Sequence, residues 1–266
     1  MKYKLSIFVC MILLMASCEQ PVQLSTSGTH NGHDYVDLGL GVKWATCNVG
    51  ADAPTEYGDY FAWGETETKK EFSYETYTFQ QSPDELTRLY DAATANWGEG
   101  WRMPTQKEAD ELWSGCLSVR KKINGVAGLL ITGPNGNSIF LPANGQKDDD
   151  DLEGAKTAGY YWTTEIGYWF DYEAYCIWFA NYSDGVTAFS CSEYFRELGM
   201  GIRPVYDPED YLYIASLKYI ISSHPVSPRI CGVNIYTLLF LPTENTRCST
   251  NSLVLSYVLR TSSLWG

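Results

Sequence analysis

Short apolar runs alternate with turn residues from residue 34 to residue 205, a pattern that predicts strands joined by tight turns. Two hairpins are predicted, one pairing residues 35–38 with 42–47 and one pairing 129–132 with 138–141. In the second hairpin, the Asn135-Gly136 step favours a primed turn.

The last third of this region predicts four further strands, at residues 160–164, 174–181, 186–190 and 200–205. Because side chains alternate along a strand, the second of these runs should have two distinct faces. One face would carry Tyr175, Ile177 and Phe179, and the other Ala174, Cys176, Trp178 and Ala180. Pairing Asn181 with Val186 across the Asp184-Gly185 turn would then place Cys176 directly opposite Cys191.

Two helices are predicted between the hairpins. Ser82 is a suitable N-cap with Pro83 at the first helical position, so helical turns are expected to about Asn96. Thr105 and Glu108 have the spacing of a capping box. Behind that box, one apolar face ending near Gly115 would carry Ala109, Leu112, Trp113 and Cys116. The expected fold class is α+β, mainly short antiparallel strands with two helices.

The N-terminus, MKYKLSIFVCMILLMASC, has the form of an export signal. Lys2 and Lys4 precede the apolar stretch 5–15, which is too short to span a bilayer. The segment 14–18, Leu-Met-Ala-Ser-Cys, resembles a bacterial lipobox, which implies that residues 1–17 are a signal peptide and that Cys18 is the lipid attachment site. The alternative is a simple secreted protein.

A lipid-anchored protein of the cell envelope is therefore expected, on the outer membrane and exposed at the surface, with membrane contact only through the anchor. The polar residues 18–33 are interpreted as a flexible tether. In an oxidising compartment, the six remaining cysteines could form disulfides. A Cys176–Cys191 bond is expected from the strand register, and Cys47–Cys116 is suggested only by the even count.

After Val205 the composition changes, so the domain is assigned to residues 34–205. Residues 206–266 are rich in Leu and Ser and show no clean alternation. Either an accessory segment or translation beyond an ancestral end, for instance after a frameshift, would account for this tail. We expect it to pack poorly.

Seven short motifs, in order along about 170 residues, resemble the Fibrobacter succinogenes major paralogous domain. They are Asp34–Leu40, Trp44–Ala51, Tyr57–Glu65, Asp91–Gly98, Trp101–Thr105, Tyr160–Thr163 and Gly201–Val205. That family is similar to the C-type-lectin-like fold of the sulfatase-modifying factors. The resemblance implies an exported bacterial lipoprotein with that fold, and it says little about the ligand.

Net charge and histidine content limit the partners and the reactions that this protein could have. The formal net charge of −13 argues against a nucleic-acid partner. Of the three histidines, His30 and His33 fall in the predicted tether and His224 in the tail. A domain without imidazole could hold no Ser-His-Asp triad, Cys-His dyad or multi-histidine metal centre, so no catalysis is expected. The formylglycine-generating enzymes, which share the fold of the sulfatase-modifying factors, use a pair of closely spaced cysteines. Cys176 and Cys191 are fifteen positions apart, so oxidase activity of that kind is not expected.

No cofactor is expected, although the acidic run 148–153 makes calcium conceivable, with Asp148 and Asp150 as weak candidate ligands. The run lacks the spacing of a known calcium loop, and acidic runs are usually solvated turns. No carboxylate pair stands out as a glycosidase site.

Aromatic residues provide the main candidate site. Residues 160–182 include 11 aromatic side chains, of which Trp162, Tyr175, Trp178 and Phe179 are expected in the core. The segment 167–173 lies between two predicted strands and carries the candidate ligand-binding residues Tyr168, Trp169, Phe170 and Tyr172. An apolar loop of this kind suggests a partner, a glycan or a protein, unless it folds back on its own domain.

Three hypotheses stay open. A binding module predicts an exposed aromatic loop. An enzyme, carboxylate-based or like the sulfatase-modifying factors, predicts convergent carboxylates with shifted pKa values. A surface-fibre subunit or adhesin predicts an open strand edge.

Overall fold

The computed structural model describes residues 24–181, 187–209 and 211–212, and the backbone of residues 229–230 and 233–234. The predicted signal peptide, Cys18, the Asp184-Gly185 turn and most of the 206–266 tail lie outside the described residues. By internal contacts, the chain divides into residues 1–215 and 216–266. In the second unit, two short strands, Arg229–Ile230 and Val233–Asn234, pair antiparallel.

The first unit has thirteen described strands and two α-helices. The strands are β1 (Gly28–His30), β2 (His33–Asp37), β3 (Lys43–Ala45), β4 (Trp101–Arg102), β5 (Leu117–Ile123), β6 (Val126–Thr132), β7 (Ser138–Pro142), β8 (Gln146–Asp148), β9 (Asp151–Glu153), β10 (Ala158–Ile166), β11 (Glu173–Asn181), β12 (Thr187–Phe195) and β13 (Val205–Tyr206). The helices are α1 (Ala92–Trp97) and α2 (Gln106–Gly115), and a 3-10 turn covers Arg88–Tyr90.

Every ladder between the described strands is antiparallel. Strands β1-β2-β3-β13-β4 form one sheet, β5-β6-β7 and β10-β11-β12 form two more, and β8 pairs with β9. The predicted α+β class, with mainly antiparallel strands and two helices, is confirmed.

Both faces of the β10-β11-β12 sheet are covered by core side chains, as the alternation along β11 predicted. Ala174 and Cys176 enter one buried cluster, whereas Ile177 and Phe179 enter another. Trp162 belongs to the first cluster, where its indole N–H donates to the carbonyl of Phe61 at 2.8 Å. The strand that follows the predicted ligand loop is therefore packed on both sides.

Residues of the family-like motifs hold this scaffold together. Arg203 is fully buried and donates to the side-chain oxygen of Asn48 and to the carbonyls of Ala45, Thr46 and Phe140, at 2.6–3.0 Å. Arg102 makes a bidentate pair with Glu108 at 2.6 and 2.7 Å. The bonds of Arg203 satisfy buried carbonyls, and those of Arg102 join two charged partners.

The prediction for α2 was correct at its start and partly wrong on its face. Thr105 and Glu108 form the reciprocal capping box, and the helix ends at Gly115. Leu112 is buried, but Trp113 is half exposed. The other helix begins later than predicted, since its N-cap is Asp91 and not Ser82. The preceding residues pair with strand β10 instead, where the N–H of Leu86 donates to the carbonyl of Thr164.

The tether was predicted to extend too far. Asn31 and Gly32 both have positive φ, 48° and 83°, which makes a two-residue hairpin turn between β1 and β2. Residues 28–33 are therefore part of the first sheet. At the other end, Tyr206 extends β13 and packs on the core, so the domain does not stop at Val205.

The predicted β11–β12 register is wrong by one residue. Asn181 pairs with Thr187, so Cys176 lies opposite Ser192, and Cys191 lies opposite Ile177. A one-residue shift moves a side chain to the other face of the sheet, and the two thiols consequently face different clusters. Cys176 and Cys191 are free, as are Cys47 and Cys116.

The turn of the β6–β7 hairpin also differs from expectation. Gly136 has φ 87°, Asn135 is not among the residues with positive φ, and the Gly136 N–H donates to the carbonyl of Gly133. A primed turn needs positive φ at its first central residue. The second primed Asn-Gly turn is instead Asn124-Gly125, between β5 and β6.

Candidate functional site: an exposed aromatic loop

The aromatic loop, residues 167–173, connects the end of β10 to the start of β11. All four predicted ligand-binding side chains lie on it and are exposed, Tyr168 by 77%, Trp169 by 74%, Phe170 by 50% and Tyr172 by 49%. The alternative in which these rings fold back on the domain is therefore not what the structure shows.

The loop backbone is fixed although its rings are exposed. The N–H of Gly167 donates to the carbonyl of Glu173 at 2.8 Å, and the N–H of Glu173 donates to the carbonyl of Phe170 at 3.1 Å. From strand β12, the carboxylate of Glu193 accepts the N–H of Tyr168 at 3.2 Å. These bonds close the loop as a defined turn at the tip of the sheet.

Arg196, which sequence reasoning missed, anchors the loop from beneath. Its guanidinium donates to the carbonyl of Asp171 at 2.6 Å, and its backbone N–H donates to the carbonyl of Tyr172 at 3.1 Å. The side chain is buried, lies over the ring of Trp63 at 4.8 Å and donates to the carbonyl of Phe79 at 3.0 Å. A single arginine after a strand gives no local signal for such contacts.

A fifth exposed ring extends the surface. Phe195, at the end of β12, is half exposed, and its ring lies 6.0 Å from that of Tyr172 at an interplanar angle of 28°. Phe170 also stacks on Tyr172, at 5.0 Å and 16°. Sequence reasoning missed Phe195 because it ended this strand at residue 190.

Two carboxylates lie beside these rings on the same side of the sheet. Glu173 pairs with Phe195 across β11 and β12, and Glu193 pairs with Tyr175 one step further along. Burial raises the pKa of Glu173, and so do the charge of Glu193 and a hydrogen bond with it. The pKa of Tyr175 is raised to about 12, by burial first and then by its contact with Glu193.

A second pair of carboxylates lies at the end of β10. The carboxylate of Glu165 accepts a hydrogen bond from the N–H of Gln106 at 2.6 Å. The hydroxyl of Thr164 lies within donating distance of both carboxylates, 3.2 Å from Glu165 and 3.3 Å from Glu85. Burial, and then the negative charge of Glu85, raise the pKa of Glu165 to about 7. Sequence reasoning found no such pair, because the two residues lie far apart in the chain.

The prediction that the domain lacks imidazole is wrong. The ring of His33 stacks on Trp97 at 3.8 Å and 5°, and burial lowers its pKa. The ring of His30 stacks on Tyr206 at 4.5 Å, and its Nε2 lies 2.8 Å from the carbonyl oxygen of Glu99. These histidines join the N-terminal hairpin to the body of the domain.

The weak calcium candidates Asp148 and Asp150 flank the turn between β8 and β9. Asp149, between them, has a raised pKa through desolvation and through the charges of Asp148 and Glu71. Within the described ranges, no three or more His, Cys, Asp or Glu side chains are grouped so that they could hold a metal ion. Residues 148–153 are exposed, as predicted for a solvated acidic run.

Comparison of the chain with family models, curated proteins and solved structures gave no match. Among the described residues, no helix combines the length and the apolar character that crossing a membrane requires. The geometry of the aromatic loop is therefore the main basis for assigning a function.

Proposed function

We propose that this protein is a lipid-anchored binding module of the bacterial cell envelope that presents its aromatic loop to a glycan or a protein and catalyses no reaction. We further propose that its α+β domain has the C-type-lectin-like fold of the major paralogous domain family. One observation carries the functional proposal: four adjacent aromatic rings are half to three-quarters exposed on a hydrogen-bonded loop. Contiguous exposed apolar surface of this kind marks interaction sites.

The anchoring of the loop supports a binding role. Binding loses free energy when a flexible loop must become ordered, and a preformed loop avoids part of that loss. Arg196 and Glu193 fix the loop through its backbone atoms, which leaves the rings available to a ligand. Tyrosine and tryptophan combine a flat apolar face with a polar tip, which suits both sugar rings and protein interfaces.

The positions of the cysteines and histidines support the non-catalytic part of the proposal. Cys176 and Cys191 face opposite sides of the sheet, so they do not form the adjacent thiol pair that a formylglycine-generating enzyme uses. His30 and His33 are packed against Tyr206 and Trp97, on the five-stranded sheet rather than on the aromatic loop. This packing, rather than an absence of imidazole, now supports the proposal.

Glycan-array binding by the purified full-length protein would test the function, together with binding to candidate surface proteins. Trp169→Ala should weaken a specific signal, because it removes the indole of the loop, which is 74% exposed. Trp113→Ala is the matched control, since Trp113 is a half-exposed tryptophan on α2. Specific binding that survives Trp169→Ala unchanged would show that the loop is not the site.

The anchor has a separate test. Cys18→Ser should prevent lipid attachment and release the protein from the membrane fraction, whereas Cys10→Ser, within the predicted signal, should not. A membrane-bound Cys18→Ser protein would contradict the lipobox interpretation.

An assembly subunit is the second candidate function, favoured by one observation. Strand β5 lies at the edge of its sheet and pairs with β6. Leu117 and Val119 are exposed on this strand, and exposed apolar residues on an edge strand favour pairing with another chain, although the exposed Arg120 and Lys122 oppose it. Self-association that is lost in Val119→Lys and retained in Trp169→Ala would favour this second candidate.

A further inference from the structure

We propose that the aromatic loop recognises a protein partner through lysine or arginine side chains. This inference rests on the proposed function and narrows it, since the choice between a glycan and a protein was open. It follows from the charges around the loop, from the exposed ring faces and from the contact between two glutamates.

The charged side chains that surround the loop are mainly acidic. Glu173 closes the loop, and Glu193 accepts the N–H of Tyr168 from the neighbouring strand. Among the residues that the structure describes, the cation bonded to the loop is Arg196, which is buried and donates to main-chain carbonyls beneath it. The surface offered to a partner therefore attracts positive charge.

The exposed aromatic rings also attract positively charged groups. The face of an aromatic ring is electron-rich and attracts an ammonium or guanidinium group placed over it. Tyr168 and Trp169 meet edge to face at 5.0 Å and 87°, so the two rings present differently oriented faces. Their large exposure leaves room for a long basic side chain to approach.

The contact between Glu173 and Glu193 provides the third argument. Glu173 and Glu193 lie on the same face of strands β11 and β12, and the pKa of Glu173 is raised by burial first and then by the negative charge of Glu193. An incoming ammonium or guanidinium group would compensate the negative charge that these two carboxylates concentrate beside the loop. The net charge of −13 would also steer a basic partner towards the protein.

The test measures binding of a fluorescent peptide of alternating lysine and glycine to the full-length protein by anisotropy. A matched peptide of alternating glutamate and glycine is the control ligand. We expect the lysine peptide alone to bind, more tightly at low salt than at physiological salt. Trp169→Ala should weaken binding about two- to fivefold, the effect of losing one exposed cation–aromatic contact.

Two charge variants separate this surface from the general acidity of the protein. Glu193→Gln removes one negative charge beside the loop and keeps an oxygen to accept the N–H of Tyr168. Asp150→Asn removes one negative charge from the β8–β9 turn, which is not part of the aromatic loop. Weaker binding in Glu193→Gln than in Asp150→Asn supports the proposal, whereas equal effects would overturn it in favour of non-specific attraction.

Failure of this inference can be told apart from failure of the proposed function. Trp169-dependent binding of a neutral glycan, with no binding of the lysine peptide, would overturn the basic-partner inference and leave the binding module intact. Binding of the lysine peptide that is unchanged in Trp169→Ala would likewise overturn it.

Discussion

Glu165 should make the protein less stable as the pH rises through neutrality, and Glu165→Gln should remove that dependence. The pKa of this carboxyl is raised from 4.5 to about 7 in the folded protein, because the group is buried beside Glu85. Between these two values, the folded state binds more protons than the unfolded state, so its contribution to stability is largest below pH 4.5 and is lost as the pH passes 7. At 1.36 kcal/mol per pKa unit, the loss is about 3 kcal/mol.

The assay is urea unfolding of the wild type and Glu165→Gln at a series of pH values from 4.5 to 8. The difference between their free energies of unfolding reports the contribution of the Glu165 carboxyl alone. Glutamine keeps an acceptor for the N–H of Gln106, and the two proteins have all other titrating residues in common. The variant should gain up to about 3 kcal/mol on the wild type across this range. Glu85→Gln is the companion variant, and it should reduce the effect by removing the neighbouring charge. A difference that stays constant with pH would refute the reasoning.

Three further predictions concern the scaffold. Arg196→Met should cost about 3 kcal/mol or more in urea unfolding, because it leaves the buried carbonyl of Phe79 without this donor. It should also make the loop susceptible to limited proteolysis, because the bond to the carbonyl of Asp171 is lost; a protected loop would contradict the role of Arg196 as an anchor. Thr105→Ala should cost about 1 kcal/mol in thermal unfolding by removing the cap of α2, whereas Thr105→Ser should cost less. Alkylation of the denatured, unreduced protein should label Cys176 and Cys191, and slow labelling of the native protein is expected because burial raises both thiol pKa values; a disulfide-linked peptide joining them would contradict the observed register.

Features that depend on neighbouring residues were predictable from the sequence. The Thr105–Glu108 capping box and the two faces of β11 are set by spacings of three and two residues. The aromatic loop was found for the same reason, since its residues are consecutive.

Features that depend on long-range packing were not predictable. The anchor Arg196 contacts residues more than a hundred positions earlier, and the Glu85–Glu165 pair spans eighty residues of chain. The β11–β12 register depends on the length of one turn, and an error of one residue reversed the direction of Cys191. The Asn31-Gly32 turn did carry a local signal, but the polar residues around it resembled a linker.

The hydrogen bonds that fix the aromatic loop involve its main-chain atoms, either as donors or as acceptors. Its folded shape therefore places little demand on which side chains stand at positions 168, 169, 170 and 172. A library randomised at these four sites should retain the melting temperature of the parent while changing what the protein captures. The domain would then serve as a display scaffold whose binding specificity is set by the residues at these four positions.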